Sequence, residues 1–179
     1  SAAASRTIAV GRNASAAGQT AIAMGVNSTA SQYSDVAIGE SATSNGGYSV
    51  AMGHRANVGG SHSVGIGVSS NASAKETTAI GSSANASANY ATALGTGSTA
   101  SGGASIASGY ASKASGSNSM ALGFSAIANN SVVCMCIYVC YICTYVNIYI
   151  SQAHIHRDLK IYTYMYITTT HTKYLHISL

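Results

Sequence analysis

Apolar and small residues alternate along most of the chain in a pattern that repeats every 14 residues. In most copies an apolar residue, a small residue and a second apolar residue are followed by glycine, as in Val50-Ala51-Met52-Gly53. So strict a period predicts that every copy occupies an equivalent place in a repetitive fold. The nine repeat glycines, with no insertion between them, are Gly11, Gly25, Gly39, Gly53, Gly67, Gly81, Gly95, Gly109 and Gly123.

The pattern within each copy predicts two short β-strands joined by two turns. Small residues stand at the third and fifth places after the glycine, turn formers such as Gly46-Gly47 follow, and the alternating segment then leads to the next glycine. Alternation with a period of two is typical of strands, whereas no stripe with the helical period of about 3.6 residues appears. Residues 1–131 are therefore predicted to form an all-β protein, a parallel β-roll (solenoid) of about nine 14-residue coils.

The small residue between the two apolar ones leaves two arrangements open. Either the larger apolar pair faces the interior of the coil, or it faces outward and the small residue faces inward. In both cases a coil this thin buries little apolar surface against the conformational entropy lost on ordering it. The pattern therefore predicts a homo-oligomer, in which a second copy covers the remaining apolar face.

Composition divides the chain into two parts. All 19 glycines lie between Gly11 and Gly123, all four cysteines come after residue 131, and the chain has no Pro and no Trp. Only 7% of the residues are charged, and the net charge of +4 comes from scattered side chains. A basic patch of the kind that binds nucleic acid is therefore not expected.

Catalytic chemistry is not expected in the repeat region either. A Ser/His/Asp arrangement would need His54 or His62 together with Asp35, Glu40 or Glu76. With so many serines in the chain, such a pairing is more simply a coincidence of composition. The sequence thus predicts no enzyme, no cofactor and no metal site.

Larger side chains recur at one turn of successive coils. The ninth position after the repeat glycine holds Tyr48, His62, Glu76 and Tyr90, and Tyr33 lies one place earlier in the preceding coil. Stacked coils would align these five side chains as an exposed ridge, which is the candidate ligand-binding site. The alternative is that a turn position tolerates any exposed residue. A second set follows the repeat glycine directly: Arg12, Glu40, His54, Tyr110 and Phe124.

The repeat resembles the head domain of YadA-like trimeric autotransporter adhesins, with its Hep/Hag type of repeat. The copies Asp35-Val36-Ala37-Ile38-Gly39 and Ser49-Val50-Ala51-Met52-Gly53 carry the resemblance, together with trailing elements such as Ala84-Asn85-Ala86-Ser87. It covers residues 1 to about 131. It implies a left-handed β-roll, a homotrimer and display on the bacterial outer membrane, with binding to collagen, other extracellular matrix proteins or other cells.

Two other functions are also compatible with a repetitive β-roll. An ice- or surface-binding solenoid would need a regular array of hydroxyls, but Thr29, Thr43 and Thr99 share their column with Asn, Ser, Lys and Ile. A segment of a phage or viral surface fibre is also compatible with the repeat.

The stalk and membrane anchor typical of the family have no counterpart in this sequence, so we expect a fragment of a longer head.

The tail, residues 132–179, is rich in Ile, Tyr, Thr and Cys. These residues are what alternating purine-pyrimidine DNA encodes, so we interpret the tail as a non-native, read-through or frameshifted segment. A second hypothesis is a membrane span over residues 132–150, which contain no charge. Zinc binding is not expected, because the crowded cysteines lack the usual loop between ligand pairs: Cys134, Cys136, Cys140 and Cys143.

Overall fold

The computed structural model describes residues 1–130, 133–139 and 144–150. Each repeat contributes one three-residue and one two-residue strand, which confirms the predicted strand pair. The three-residue strands are Ile8–Val10, Ile22–Met24, Val36–Ile38, Val50–Met52, Val64–Ile66, Thr78–Ile80, Thr92–Leu94, Ile106–Ser108 and Met120–Leu122. The two-residue strands are Ser15–Ala16, Thr29–Ala30, Thr43–Ser44, Asn57–Val58, Asn71–Ala72, Asn85–Ala86, Thr99–Ala100, Lys113–Ala114 and Ile127–Ala128.

Every strand pairs in parallel with its equivalent 14 residues away, so the chain winds into a parallel β-solenoid of nine coils. The register is strict: Val50 pairs with Val64, Ala51 with Gly65 and Met52 with Ile66. Backbone hydrogen bonds connect the turns of neighbouring coils as well as their strands. The coils are therefore tied together around their whole perimeter.

The structure decides which side of the alternating strand faces inward. From the second coil onward, the small residue of the three-residue strand, such as Ala93, is fully buried inside the coil, where it faces equally buried Ala residues of the two-residue strands, such as Ala86 and Ala100. The larger apolar residues point outward, and Ile66 is 37% exposed. The interior is thus an alanine column only one small side chain wide on each side, and the larger apolar side chains form a separate outer face.

The repeat glycine is required by both conformation and space. Gly53 has a φ of 131°, and a Cβ atom there would lie 2.5 Å from the carbonyl oxygen of Gly67. L-residues resist this φ, and the close approach involves backbone that cannot rotate away. The nine-fold recurrence of this glycine therefore follows from coil stacking.

The outer face of the two-residue strands is polar. Asn57 donates through its side-chain amide to Asn71, which donates in turn to Asn85, at 3.2 and 2.9 Å. Thr29 and Thr43 are neighbours in this column. The Asn side chains interrupt the regular array of hydroxyl groups that an ice-binding surface would need.

Two further strands follow the solenoid. Val133–Val139 stacks in parallel on Met120–Leu122, and Thr144–Ile150 pairs with it antiparallel. Within the described residues, no helix is long and apolar enough to cross a membrane. Cys140, Cys143 and residues 151–179 lie outside the described part, so the two hypotheses about the tail stay predictions.

In one coil, a larger interior residue lies opposite a smaller one. Val58 is fully buried where other coils have Ala or Ser, and directly across the coil stands Gly65, where the others have Ala. A Cβ atom on Gly65 would lie 2.6 Å from Cγ2 of Val58. The backbone of Gly65 does not have a positive φ. Glycine is needed here for space alone.

We predict that Val58→Ala and Gly65→Ala are each destabilising but compensate one another. Val58→Ala leaves a cavity and Gly65→Ala overpacks the coil, each lowering the free energy of unfolding by about 2 kcal/mol. The double variant recreates the Ala–Ala interior of the neighbouring coils, so its stability should lie within about 1 kcal/mol of the wild type. Denaturant unfolding at fixed protein concentration measures all four proteins, and additive losses would contradict the explanation.

Candidate functional site

The candidate ridge lies at the corner that joins each two-residue strand to the next three-residue strand. One residue of every turn there adopts a left-handed conformation, with φ between 52° and 63°. This geometry reverses the chain within a few residues and leaves the side chain at the outer edge of the coil. The residues in this column are Thr20, Ser34, Tyr48, His62, Glu76, Tyr90, Ala104 and Asn118.

Three aromatic side chains of the ridge form a continuous stack. The ring centroids of Tyr33 and Tyr48 are 5.2 Å apart at an interplanar angle of 45°. Tyr48 and His62 are also 5.2 Å apart, and their rings are nearly parallel at 7°. Because adjacent strands repeat at about 4.8 Å, ring stacking matches the spacing of the coils. Tyr48 remains 57% exposed within the stack.

The stack ends at a charged pair. Glu76 is the next residue of the column after His62, and its carboxylate lies 3.1 Å from the Lys75 ammonium. The hydrogen bond from Lys75 to Glu76, followed by the charge of that carboxylate, raises the pKa of Lys75. Both side chains are exposed, so the pair adds little to stability. Tyr90 follows one coil further and is 54% exposed.

The structure thus brings together three of the five predicted ridge residues as a ring stack. Glu76 and Tyr90 continue the same column, but the ring contacts of residues 1–130 do not include Tyr90. The opposite corner carries a separate aromatic pair, Tyr110 and Phe124, with centroids 5.2 Å apart and an interplanar angle of 11°.

A second candidate surface is the outer face of the three-residue strands. Fifteen of its eighteen outward positions are Ile, Val, Leu or Met, and most are exposed or half-buried. This apolar face runs over all nine coils. Continuous apolar surface of this extent is typical of a protein–protein interface.

The described residues contain no group of three or more His, Cys, Asp or Glu side chains placed to hold a metal ion. Asp35 is fully buried and accepts hydrogen bonds from backbone amides and Ser49, not from a histidine.

Sequence reasoning missed the structural role of Asp35. Its position in the coil is otherwise filled by small or hydroxyl residues, and that contrast is the signal that marks it. The equivalent residues are Ala21, Ser49, Ser63, Thr77, Ala91, Ser105 and Ser119.

Comparison with known proteins agrees with the geometry. The family model described as YadA head domain repeat matches residues 2–28, 16–39, 30–56, 59–84, 72–98 and 100–126. A search among curated proteins found no match. The crystal structure of the collagen-binding domain of the Yersinia adhesin YadA superposes with a TM-score of 0.67, at 22% sequence identity, covering 93% of this chain and 94% of that one. With its fold and most of its repeats matched, this chain belongs to the family of YadA head domain repeats.

Proposed function

We propose that this chain is the head of an adhesin, displayed on a bacterial cell surface, that binds extracellular matrix proteins through the Tyr33–Tyr48–His62 stack. The observation that carries the proposal is the stack itself, which consists of three exposed rings in contact along one corner of the coil. Collagen is the first ligand to test, because the structurally similar YadA domain is a collagen-binding domain.

Ring stacking prepares these side chains for binding. Tyrosine has few rotatable bonds, and contact with a neighbouring ring restricts them further before any ligand arrives. Less conformational entropy is then lost on binding. Exposed aromatic residues also provide a large contact area together with a hydroxyl group, which is why they are frequent at binding hot spots.

We further propose that the apolar face holds three copies of the chain together as a homotrimer. The support is the face described above and the membership of the chain in the YadA head family. Alanine-sized interiors bury little apolar area within one chain, so covering the outer face removes the larger Ile, Val, Leu and Met side chains from water. The ridge lies at a corner of the coil, outside this face.

The first experiment replaces two ridge tyrosines. Tyr48→Ala combined with Tyr90→Ala should weaken binding to immobilised collagen, fibronectin or laminin at least about tenfold, because contact area and the ring stack are both lost. Surface plasmon resonance with the full chain measures the affinities.

Tyr110→Ala is the matched control, since Tyr110 is as exposed as Tyr48, at 57%, but lies at the opposite corner. It should retain wild-type affinity. Unchanged binding of the Tyr48/Tyr90 variant to all three matrix proteins would rule out the ridge as the binding site.

The second experiment tests the oligomer. Size-exclusion chromatography with light scattering should give three times the chain mass of 18.0 kDa. Ile80→Lys should abolish the trimer, because three ammonium groups would be buried together without partners.

Asn71→Lys places the same charge on the opposite, polar face, in a column where Lys113 already occurs, and it should leave the mass unchanged. A stable wild-type monomer, or an Ile80→Lys variant with wild-type mass and stability, would contradict the proposed interface.

A further inference from the structure

Asp35 is the one carboxylate buried inside the described coils, and its hydrogen bonds reach two neighbouring turns. Its Oδ2 accepts the backbone N–H of Gln32 at 3.0 Å. Its Oδ1 accepts the backbone N–H of Gly47 at 2.9 Å and that of Ser49 at 3.2 Å. Gln32 directly precedes Tyr33, and Gly47 directly precedes Tyr48, so the carboxylate joins the two backbone segments that carry the first two rings of the ridge.

Hydroxyl groups complete the environment of the carboxylate. Ser49 Oγ donates to Asp35 Oδ1 at 2.8 Å, and Ser44 Oγ lies 2.6 Å from Ser49 Oγ. Because the proton of Ser49 points to the carboxylate, Ser44 must be the donor in that second bond. Asp35 therefore has four donors, which together satisfy a buried anion without a cationic partner.

The turn that contains Gly47, one coil after Asp35, differs from its equivalents in the other coils. Each of the eight turns at this corner has one residue equivalent to Gly47, directly before the residue with the left-handed conformation. Among these eight, only Gly47 has a positive φ, at 78°. The N–H of Ser49 donates to Asp35, whereas the equivalent amides of Ala91, Ser105 and Ser119 donate to the carbonyl three residues earlier, at 3.1 to 3.2 Å. Asp35 thus replaces a turn carbonyl as the acceptor and draws the amide of Gly47 inward.

Ser63 shows what a shorter side chain does in the same position. Its hydroxyl accepts the N–H of Thr77 at 2.9 Å, as Asp35 does from Ser49. Lys75, the counterpart of Gly47, nevertheless keeps an ordinary φ, and its N–H donates to Asn89 Oδ1 instead. The turn that follows the serine therefore keeps its usual form, whereas the turn that follows the longer aspartate does not.

The changed turn explains an irregular contact of the ridge. Tyr33 is one place out of register with Tyr48, since the true counterpart of Tyr48 in the previous coil is Ser34. Their rings nevertheless meet at 5.2 Å with a 45° tilt, whereas the in-register Tyr48 and His62 are nearly parallel. We infer that Asp35 is the positioning residue of the ridge: its carboxylate fixes the turns of Tyr33 and Tyr48 so that the two out-of-register rings form one surface.

The inference rests on the proposed function only for the consequence of that positioning, which is ligand binding. Asp35→Ser is the main variant, because four other coils already carry serine at this place: Ser49, Ser63, Ser105 and Ser119. The variant should keep the β-roll. In its crystal structure, we expect Gly47 to return to a negative φ and the centroids of Tyr33 and Tyr48 to separate beyond contact. A ring separation that stays at 5.2 Å would overturn the inference.

Gly47→Ala tests the same turn from the other side. A Cβ atom there would meet only Gln32 Cβ, at 3.8 Å, so space is available and only the positive φ opposes the substitution. The variant should therefore separate the two rings as Asp35→Ser does. Gly103→Ala is the matched control: Gly103 holds the equivalent place, has no positive φ, and its Cβ would meet nothing within 4 Å. It should leave the ring stack unchanged, and loss of the stack in this control would overturn the inference.

A double-mutant cycle for collagen binding separates positioning from a general effect on the fold. Asp35→Ser should weaken binding at least about fivefold in the wild type but less than about twofold in a Tyr48→Ala background, because it acts through that ring. Equal losses in both backgrounds would overturn the inference. If Tyr48→Ala itself leaves binding unchanged, the proposed function fails, and the crystal structure of Asp35→Ser still decides whether Asp35 positions the rings.

Discussion

The narrow interior of each coil is the constraint on which the rest of the structure depends. Two strands face each other across a gap that holds one alanine from each side, as Ala72 and Ala79 do. Where Val58 is larger by two methyl groups, Gly65 has lost its Cβ. The interior therefore has little spare volume, and an increase as large as that from Ala to Val on one strand is matched by a decrease on the other.

Because the interior is small, the larger apolar side chains lie on the outside of the coil. Ile66 and Met52 cannot be accommodated within the coil, so they lie on the apolar face, over a third exposed in the single chain. Backbone hydrogen bonds hold the coils together along the axis, but each contributes only about 1 kcal/mol net, because water competes for the same groups in the unfolded chain. Much of the hydrophobic stabilisation available to this sequence is thus left for contacts between chains, which is the physical basis of the proposed trimer.

The sequence was sufficient to predict the strand pair and the parallel stacking of the coils, because both follow from a unit repeated nine times at the same spacing. It did not decide which side of the strand faces inward, since alternation is symmetrical and Ala51 and Val50 are both apolar. The contact between Tyr33 and Tyr48 could not be derived from spacing, because the two residues are 15 apart and out of register. Asp35 was overlooked for a related reason: it occurs in a single coil, and most of its partners are backbone amides, which no residue pattern reveals.

Backbone hydrogen bonds between turns also connect a single irregular residue to several neighbouring coils. The N–H of Tyr48 donates to the carbonyl of Tyr33 at 2.8 Å, and that of His62 donates to the carbonyl of Gly47 at 3.0 Å. Gly47 is therefore bound to Asp35 through its N–H and to the turn of His62 through its carbonyl. Because the three turns are joined in this way, one buried carboxylate is connected to all three rings of the stack. A single substitution in the otherwise uniform interior can in this way change how side chains are arranged on the outer corner of the coil.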